Sequence, residues 1–146
     1  MVDDVADTWG ALLKVHAALV PRLDRELQEA HGLPLTWYDV LLELNAAPER
    51  RLSMGELGAV AVVSRSRVSR VVDELVAAGL VNRVANPQDR RSAYAAITDA
   101  GRARLRAAAP TYLDGIERHF TSKMTKRDAE AVAAALGKVL GAVRPG

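Results

Sequence analysis

The sequence predicts a mainly α-helical fold with one small β-hairpin, and three features point to it. Apolar residues recur at helical spacing near both ends of the chain, two short capped helical segments lie in the middle, and two β-prone runs flanking a polar turn follow them. The composition agrees: 49% of the 146 residues are hydrophobic but only 4% are aromatic, and the abundance of Ala, Leu, Val and Arg favours helices over a β-sandwich. A chain of this length fits one domain, 1–146, and buries a core without disulfides or metals.

Trp9, Leu12, Leu13, Leu19, Val20, Leu23 and Leu27 form a stripe that ends before Gly32 and Pro34, which predicts a long amphipathic helix over about residues 5 to 30. Thr36 is placed to cap the next helix, with Asp39 completing a partial capping box and Val40, Leu41 and Leu44 turned inward; Ala47-Pro48 ends it. Ser53-Met54-Gly55-Glu56 is a full capping box for a short helix with Leu57, Val60 and Ala61 inside. Ser64 then caps a helix that runs to about Ala78 and stops at Gly79 in a left-handed conformation.

The runs from Leu80 to Val84 and from Ser92 to Ile97 enclose Ala85-Asn86-Pro87-Gln88-Asp89-Arg90-Arg91, the composition of a hairpin turn. Ala93, Ala95 and Ile97 alternate with Ser92, Tyr94 and Ala96, so one face of the hairpin rests on helices. Thr98 caps a second long helix with Leu105, Ala109, Tyr112, Leu113, Ile116 and Phe120 along it, and Pro110 is expected to kink or split it near Ala109. Thr125 and Asp128 open a last helix bearing Val132, Leu136, Val139 and Leu140.

Several function classes recede on this reading. No cysteine is present, which removes disulfides, thiolate zinc sites and thiol redox switching and fits a reducing cytosol. The start is acidic and no apolar run approaches the roughly 20 residues of a membrane span, so a cytoplasmic, soluble protein without a signal peptide is expected. His16, His31 and His119 lie far apart, and no phosphate loop, nucleophile elbow or paired-histidine metal motif is present; no catalytic residue, metal or cofactor is expected.

Charge distribution is more informative than the net charge of +2. Between Val63 and Ser92, Arg65, Arg67, Arg70, Arg83, Arg90 and Arg91 outnumber Asp73, Glu74 and Asp89, leaving that stretch at +3. Ser64-Arg65-Ser66-Arg67-Val68-Ser69-Arg70 crowds donors onto a helix start, while Val68, Val71, Val72 and Leu75 face inward. An arginine-rich surface helix is by itself an ordinary solvated face. A second short helix followed by a basic hairpin makes it a helix-turn-helix, whose recognition helix fits the DNA major groove, where Arg bonds guanine O6 and N7 and Ser reaches phosphates or base edges.

Leu35-Thr36, Leu52-Ser53-Met54-Gly55-Glu56-Leu57, Ser64 to Leu75, Ala78-Gly79-Leu80-Val81, Asp89-Arg90-Arg91 and Ile97-Thr98-Asp99-Ala100-Gly101 together resemble the MarR (multiple-antibiotic-resistance regulator) family over nearly the whole chain. The resemblance implies a winged helix-turn-helix over 35–98, flanked by terminal dimerisation helices over 1–32 and 99–146, and a bacterial repressor that binds pseudo-palindromic double-stranded DNA as a homodimer. It places Ser64, Arg65, Ser66, Arg67, Ser69 and Arg70 at the major groove or its phosphates, with Arg90 and Arg91 on the wing. Arg91 enters the minor groove and Asp89 steadies it; a plain turn ion pair is the other reading of Asp89 and Arg91.

The apolar faces of the terminal helices exceed what a three-helix core covers, so Leu19, Leu23, Leu113, Ile116, Phe120, Val132, Leu136 and Val139 are candidate interface or core residues, either in a dimer or in an intramolecular bundle. Relatives respond to small aromatic or anionic effectors, which suggests a ligand pocket near His16, Trp37 and Tyr112; a packed Trp37 junction and a satisfied core His16 are the plainer alternatives. Two rival functions remain at this stage. One is a nonspecific architectural DNA binder, and the other is a winged-helix adaptor that binds protein or small ligand without reading DNA.

Overall fold

A computed structural model describes residues 2–89 and 91–143. Helix α1 (Val2–His31) is followed by α2 (Leu35–Ala46), a 3-10 turn at Pro48–Arg50, strand β1 (Arg51–Ser53), α3 (Met54–Val60) and α4 (Arg65–Ala77). Strands β2 (Val81–Ala85) and β3 (Ala93–Ile97), α5 (Asp99–His119), a 3-10 turn at Thr121–Lys123 and α6 (Lys126–Val143) complete the order. The fold is mainly α with a three-stranded antiparallel sheet in the order β1-β3-β2, whose β2–β3 hairpin is the wing.

Several helix boundaries follow from side chains read in the sequence. Ser53 Oγ accepts from the Glu56 amide at 3.1 Å and Glu56 Oε1 accepts from the Ser53 amide at 3.0 Å, the reciprocal capping box. Thr125 and Asp128 repeat it at α6, at 3.0 and 3.1 Å. Gly79 has φ +77, and the Gly79 and Leu80 amides donate to Val76 O and Leu75 O, the paired bonds of a Schellman stop.

Other expectations need correction. Helix α2 starts at Leu35 after Pro34 with no side-chain cap, so Thr36 lies inside the helix and Asp39 is released from the capping box. Ser64 occupies the N-cap position of α4 but its hydroxyl meets Ser66 Oγ at 3.3 Å instead of capping. Helix α5 runs unbroken through Pro110, because a proline removes one amide bond while the turns on either side keep theirs. No sequence pattern predicts strand β1; its three residues are too few to alternate and gain strand character by pairing with β3, Leu52 opposite Ala95. Before it, Glu49 and Arg50 both hold positive φ, 57 and 55, which L-residues adopt at a cost of roughly 1–2 kcal/mol each.

The chain divides into two compact units. One joins the residues up to Ala30 with those from Thr111 on, and the other is His31–Pro110. The core of the second is apolar: Leu33, Val40, Leu41, Leu44, Leu57, Val72, Leu75, Val81 and Ala95 are fully buried, each aliphatic side chain stabilising by about 1.5–3 kcal/mol. The ends of α4, β2, β3 and α5 meet at Thr98. Its Oγ1 donates to Gly79 O at 2.8 Å and accepts from the Gly101 amide at 3.0 Å, and its amide donates to Leu80 O at 3.1 Å.

In the first unit, α1 and α5 meet at Glu26. His119 Nε2 donates to Glu26 Oε2 at 2.8 Å, Arg118 Nη2 donates to Oε1 at 2.9 Å, and Arg118 Nε donates to Asp114 at 2.7 Å. The His119 bond, the largest effect, holds the Glu26 carboxyl below the usual carboxylate range; desolvation opposes it, and the bond and charge of Arg118 add to it. No helix among the described residues is long and apolar enough to cross a membrane.

A Cβ at Gly101 would stand 2.2 Å from Leu80 O and 2.8 Å from Ile97 Cγ1. Gly101→Ala is therefore expected to lower stability by about 1–3 kcal/mol, the scale of overpacking, as read by urea denaturation. Glu26 ionises more readily folded than unfolded, so it contributes stability at neutral pH that is lost as the pH falls through the carboxylate range and below it. Glu26→Gln should lower the urea midpoint at pH 7 and flatten its acid limb; an unchanged slope between pH 6 and pH 3 would speak against the pairing.

Candidate nucleic-acid interface

Helix α4 separates its two faces sharply. Val68, Val71, Val72 and Leu75 are buried, while Ser64, Arg65, Ser66, Arg67, Ser69 and Arg70 are all exposed. Three guanidinium groups thus stand within two turns of a helix N-terminus, where the helix dipole adds positive potential. Three other arginines are paired with acids: Arg83 with Asp73, Arg51 with Glu49 at 3.1 Å, and Arg118 with Glu26 and Asp114. Arg65, Arg67 and Arg70 pair with no carboxylate among the described residues.

Helix α3 lies before this face, and a Cβ added at Gly58 would stand 3.5 Å from Arg65 Cγ, an ordinary van der Waals contact. The connection between the helices, Ala61 to Ser64, points Val62 outward, 76% exposed, and Val63 inward. Its geometry is held from α2: Asp39 Oδ2 accepts from the Val62 amide at 2.8 Å. Burial raises the Asp39 carboxyl above its usual range, opposed by its bonds from the Val62 and Val63 amides. Nothing in the sequence pointed to this contact, because it joins residues 23 positions apart and reads locally as a cap for Thr36.

The hairpin turn is built from its own side chains. Asn86 Oδ1 accepts from the Gln88 amide at 3.0 Å, Asn86 Nδ2 donates to Ser92 Oγ at 3.2 Å, and Asp89 Oδ1 accepts from the Arg91 amide at 2.9 Å. Asp89 therefore shapes the backbone at Arg91, and the Arg91 side chain is exposed. Arg90 lies outside the described residues. On the sheet, the Arg51 guanidinium stacks 4.4 Å over the Tyr94 ring.

The three residues expected near a ligand are divided between the two units. Trp37 Nε1 donates to Glu74 Oε1 on α4 at 3.2 Å, tying α2 to the recognition-type helix. His16 is exposed on α1 and Tyr112 is half-buried on α5, both in the other compact unit from Trp37. Within the second unit a cleft of about 340 Å³ opens between α2 and the first half of α5, lined by Tyr38, Leu42, Asn45, Arg102, Leu105 and Arg106. Arg102 Nε is buried there with no hydrogen-bond partner. No group of three His, Asp or Glu residues is placed to hold a metal among the described residues.

A family model described as the MarR family matches residues 31–92, from the end of α1 to the far side of the hairpin turn. No curated protein matches the chain significantly. Among solved structures, the MarR family transcriptional regulator Sco3205 from Streptomyces coelicolor, determined in complex with DNA, is 32% identical, with 95% of this chain and 87% of that one covered and a TM-score of 0.86. AbsC, a MarR family transcriptional regulator from the same organism, is 28% identical over 99% and 97% of the two chains, with a TM-score of 0.85. The transcriptional regulator BldR from Sulfolobus solfataricus shares the fold at 23% identity, with coverages of 97% and 98% and a TM-score of 0.85.

The capping box of α3 sets where the first helix of this pair begins, so Ser53→Ala should lower stability by about 1 kcal/mol, measured as a shift in the urea midpoint at constant slope.

Proposed function

This chain belongs to the MarR family of transcriptional regulators, and on that premise we propose that it is a sequence-specific regulator that binds a pseudo-palindromic DNA operator as a homodimer. The observation that carries this reading is the exposed face of α4, where Arg65, Arg67 and Arg70 stand without carboxylate partners among the described residues. Charged side chains left unneutralised on a helix start are suited to a polyanion, and a helix is the element that fits the major groove. Ser64, Ser66 and Ser69 supply hydroxyls to phosphates or base edges. Arg90 and Arg91 carry the wing to the neighbouring minor groove, with Asp89 fixing the turn.

The dimer reading is supported by apolar surface on the first unit. Val5, Trp9, Leu113, Val139 and Val143 are each more than half exposed, and α6 has no buried residue. A second copy covers such faces with least specialised chemistry. The relative Sco3205 was solved with DNA, which supports duplex DNA as the partner here. The cleft between α2 and α5, with Arg102, Arg106 and the Tyr38 ring, suits a small anionic or aromatic effector that shifts the dimer between DNA-matching and non-matching geometries and so acts through release of a repressor.

The test uses fluorescence anisotropy with a duplex that the purified protein enriches from a randomised pool and with a base-shuffled duplex, at two salt concentrations. Tight, salt-sensitive binding to the enriched duplex alone is expected, and Arg70→Ala and Arg91→Ala should each weaken it about tenfold, within the 1–3 kcal/mol of a base-reading arginine. Equal affinity for both duplexes would mean an architectural binder; no binding to either at low salt would leave the adaptor reading.

A further inference from the structure

Buried valines and a leucine decide which side of α4 faces inward, but apolar contact is non-directional and tolerates small rotations and slides of a helix along its axis. Reading bases demands more, since an arginine fork must meet two acceptors on one base edge. Directional bonds have to supply the difference. Polar anchors join α2 to α4 and the turn before it at Asp39, whose Oδ2 accepts from the Val62 amide at 2.8 Å, and at Trp37, whose Nε1 donates to Glu74 Oε1 at 3.2 Å. Val62 and Glu74 are twelve residues apart, roughly 18 Å of helix if the rise were helical throughout, so the anchors grip α4 near its two ends.

The two anchors are unequal. Trp37 to Glu74 joins side chains that both swing on rotatable bonds, whereas Asp39 bonds main-chain amides, which move only with the backbone. Asp39 itself is rooted, because its neighbours Tyr38 and Val40 on α2 are buried at 4% and 0% exposure. The amide it holds, that of Val62, lies two residues before Ser64, where the exposed arginine and serine face begins.

We propose that Asp39 is a positioning residue for DNA reading: by holding the Val62 amide it sets the axial position and rotation of α4, and thereby controls discrimination between sequences without itself touching DNA. This rests on the regulator reading above. Phosphate attraction, which depends on charge near the duplex more than on angstrom-scale placement, is left largely intact when Asp39 is replaced. Base readout is what suffers.

The experiment compares the unmodified full chain with Asp39→Ala and Asp39→Asn by fluorescence anisotropy, using the duplex enriched by the unmodified chain and its shuffled counterpart across a salt series, with thermal melts of each protein. Asp39→Ala is expected to lose about tenfold in the ratio of enriched to shuffled affinity, equivalent to ~1.4 kcal/mol, while affinity for the shuffled duplex and its salt slope stay within twofold. Asp39→Asn keeps one carbonyl acceptor and should recover part of the ratio; it carries the test alone if the alanine variant melts below the assay temperature. A ratio within twofold of the unmodified chain in both variants overturns the proposal. So does a parallel loss on both duplexes, which would make Asp39 a support of general structure. If the unmodified chain enriches no sequence and binds both duplexes alike, the regulator reading itself has failed, an outcome separate from any behaviour of the variants.

Discussion

One threonine hydroxyl ties together the parts of the unit that spans His31–Pro110. Thr98 Oγ1 donates to the carbonyl of Gly79, where α4 has just ended, and accepts from the amide of Gly101, where α5 has just begun. Its own amide donates to Leu80 O at the entry to β2. A single residue thus registers the end of α4, both feet of the hairpin and the start of α5. Gly101 has no side chain because the Leu80 carbonyl occupies the place where one would go, and Gly79 takes a left-handed turn that lets Leu80 double back. The angle between α4 and the wing follows from this junction, since both leave it within three residues.

The same unit shows how stability and binding divide the surface of one helix. Every fully or nearly buried residue of α4 is Val or Leu, and every residue in its first two turns that is not buried is Ser or Arg. Arg83 is paired with Asp73 at the foot of the hairpin. Exposed pairs of that kind contribute little to stability; Arg65, Arg67 and Arg70 have no such partner among the described residues, which leaves their charge unneutralised at the helix start.

The first unit has the opposite imbalance. Its polar chemistry is concentrated at Glu26, His119, Arg118 and Asp114, where α1 and α5 approach so closely that Gly115 lies within side-chain reach of Glu26 and Leu23. Apolar groups, by contrast, are spread over exposed faces of α1, α5 and α6. Specific bonds therefore fix α1 against α5, while other parts of the helix surface present exposed hydrophobic area.

Much of this was legible in the sequence wherever the cause is local. A hydroxyl three residues before a carboxylate, a glycine after a helix, or apolar residues at period 3.6 act within one or two turns, so the caps at Ser53 and Thr125, the stop at Gly79, the hairpin strands and the inward face of α4 could be read from neighbouring residues. The exposed face of α4 and the turn at Asn86 to Ser92 came from the same local rules. What tertiary structure alone decided are the contacts whose partners are distant in the chain. Asp39 reads as a cap for Thr36 until Val62 is brought to it; β1 is three unremarkable residues until β3 lies alongside; Trp37 reaches Glu74 and Glu26 reaches His119 only in the folded chain. The cleft lined by Tyr38 and Arg102 was invisible for the same reason, because a concave surface belongs to two helices at once and neither helix carries its signature.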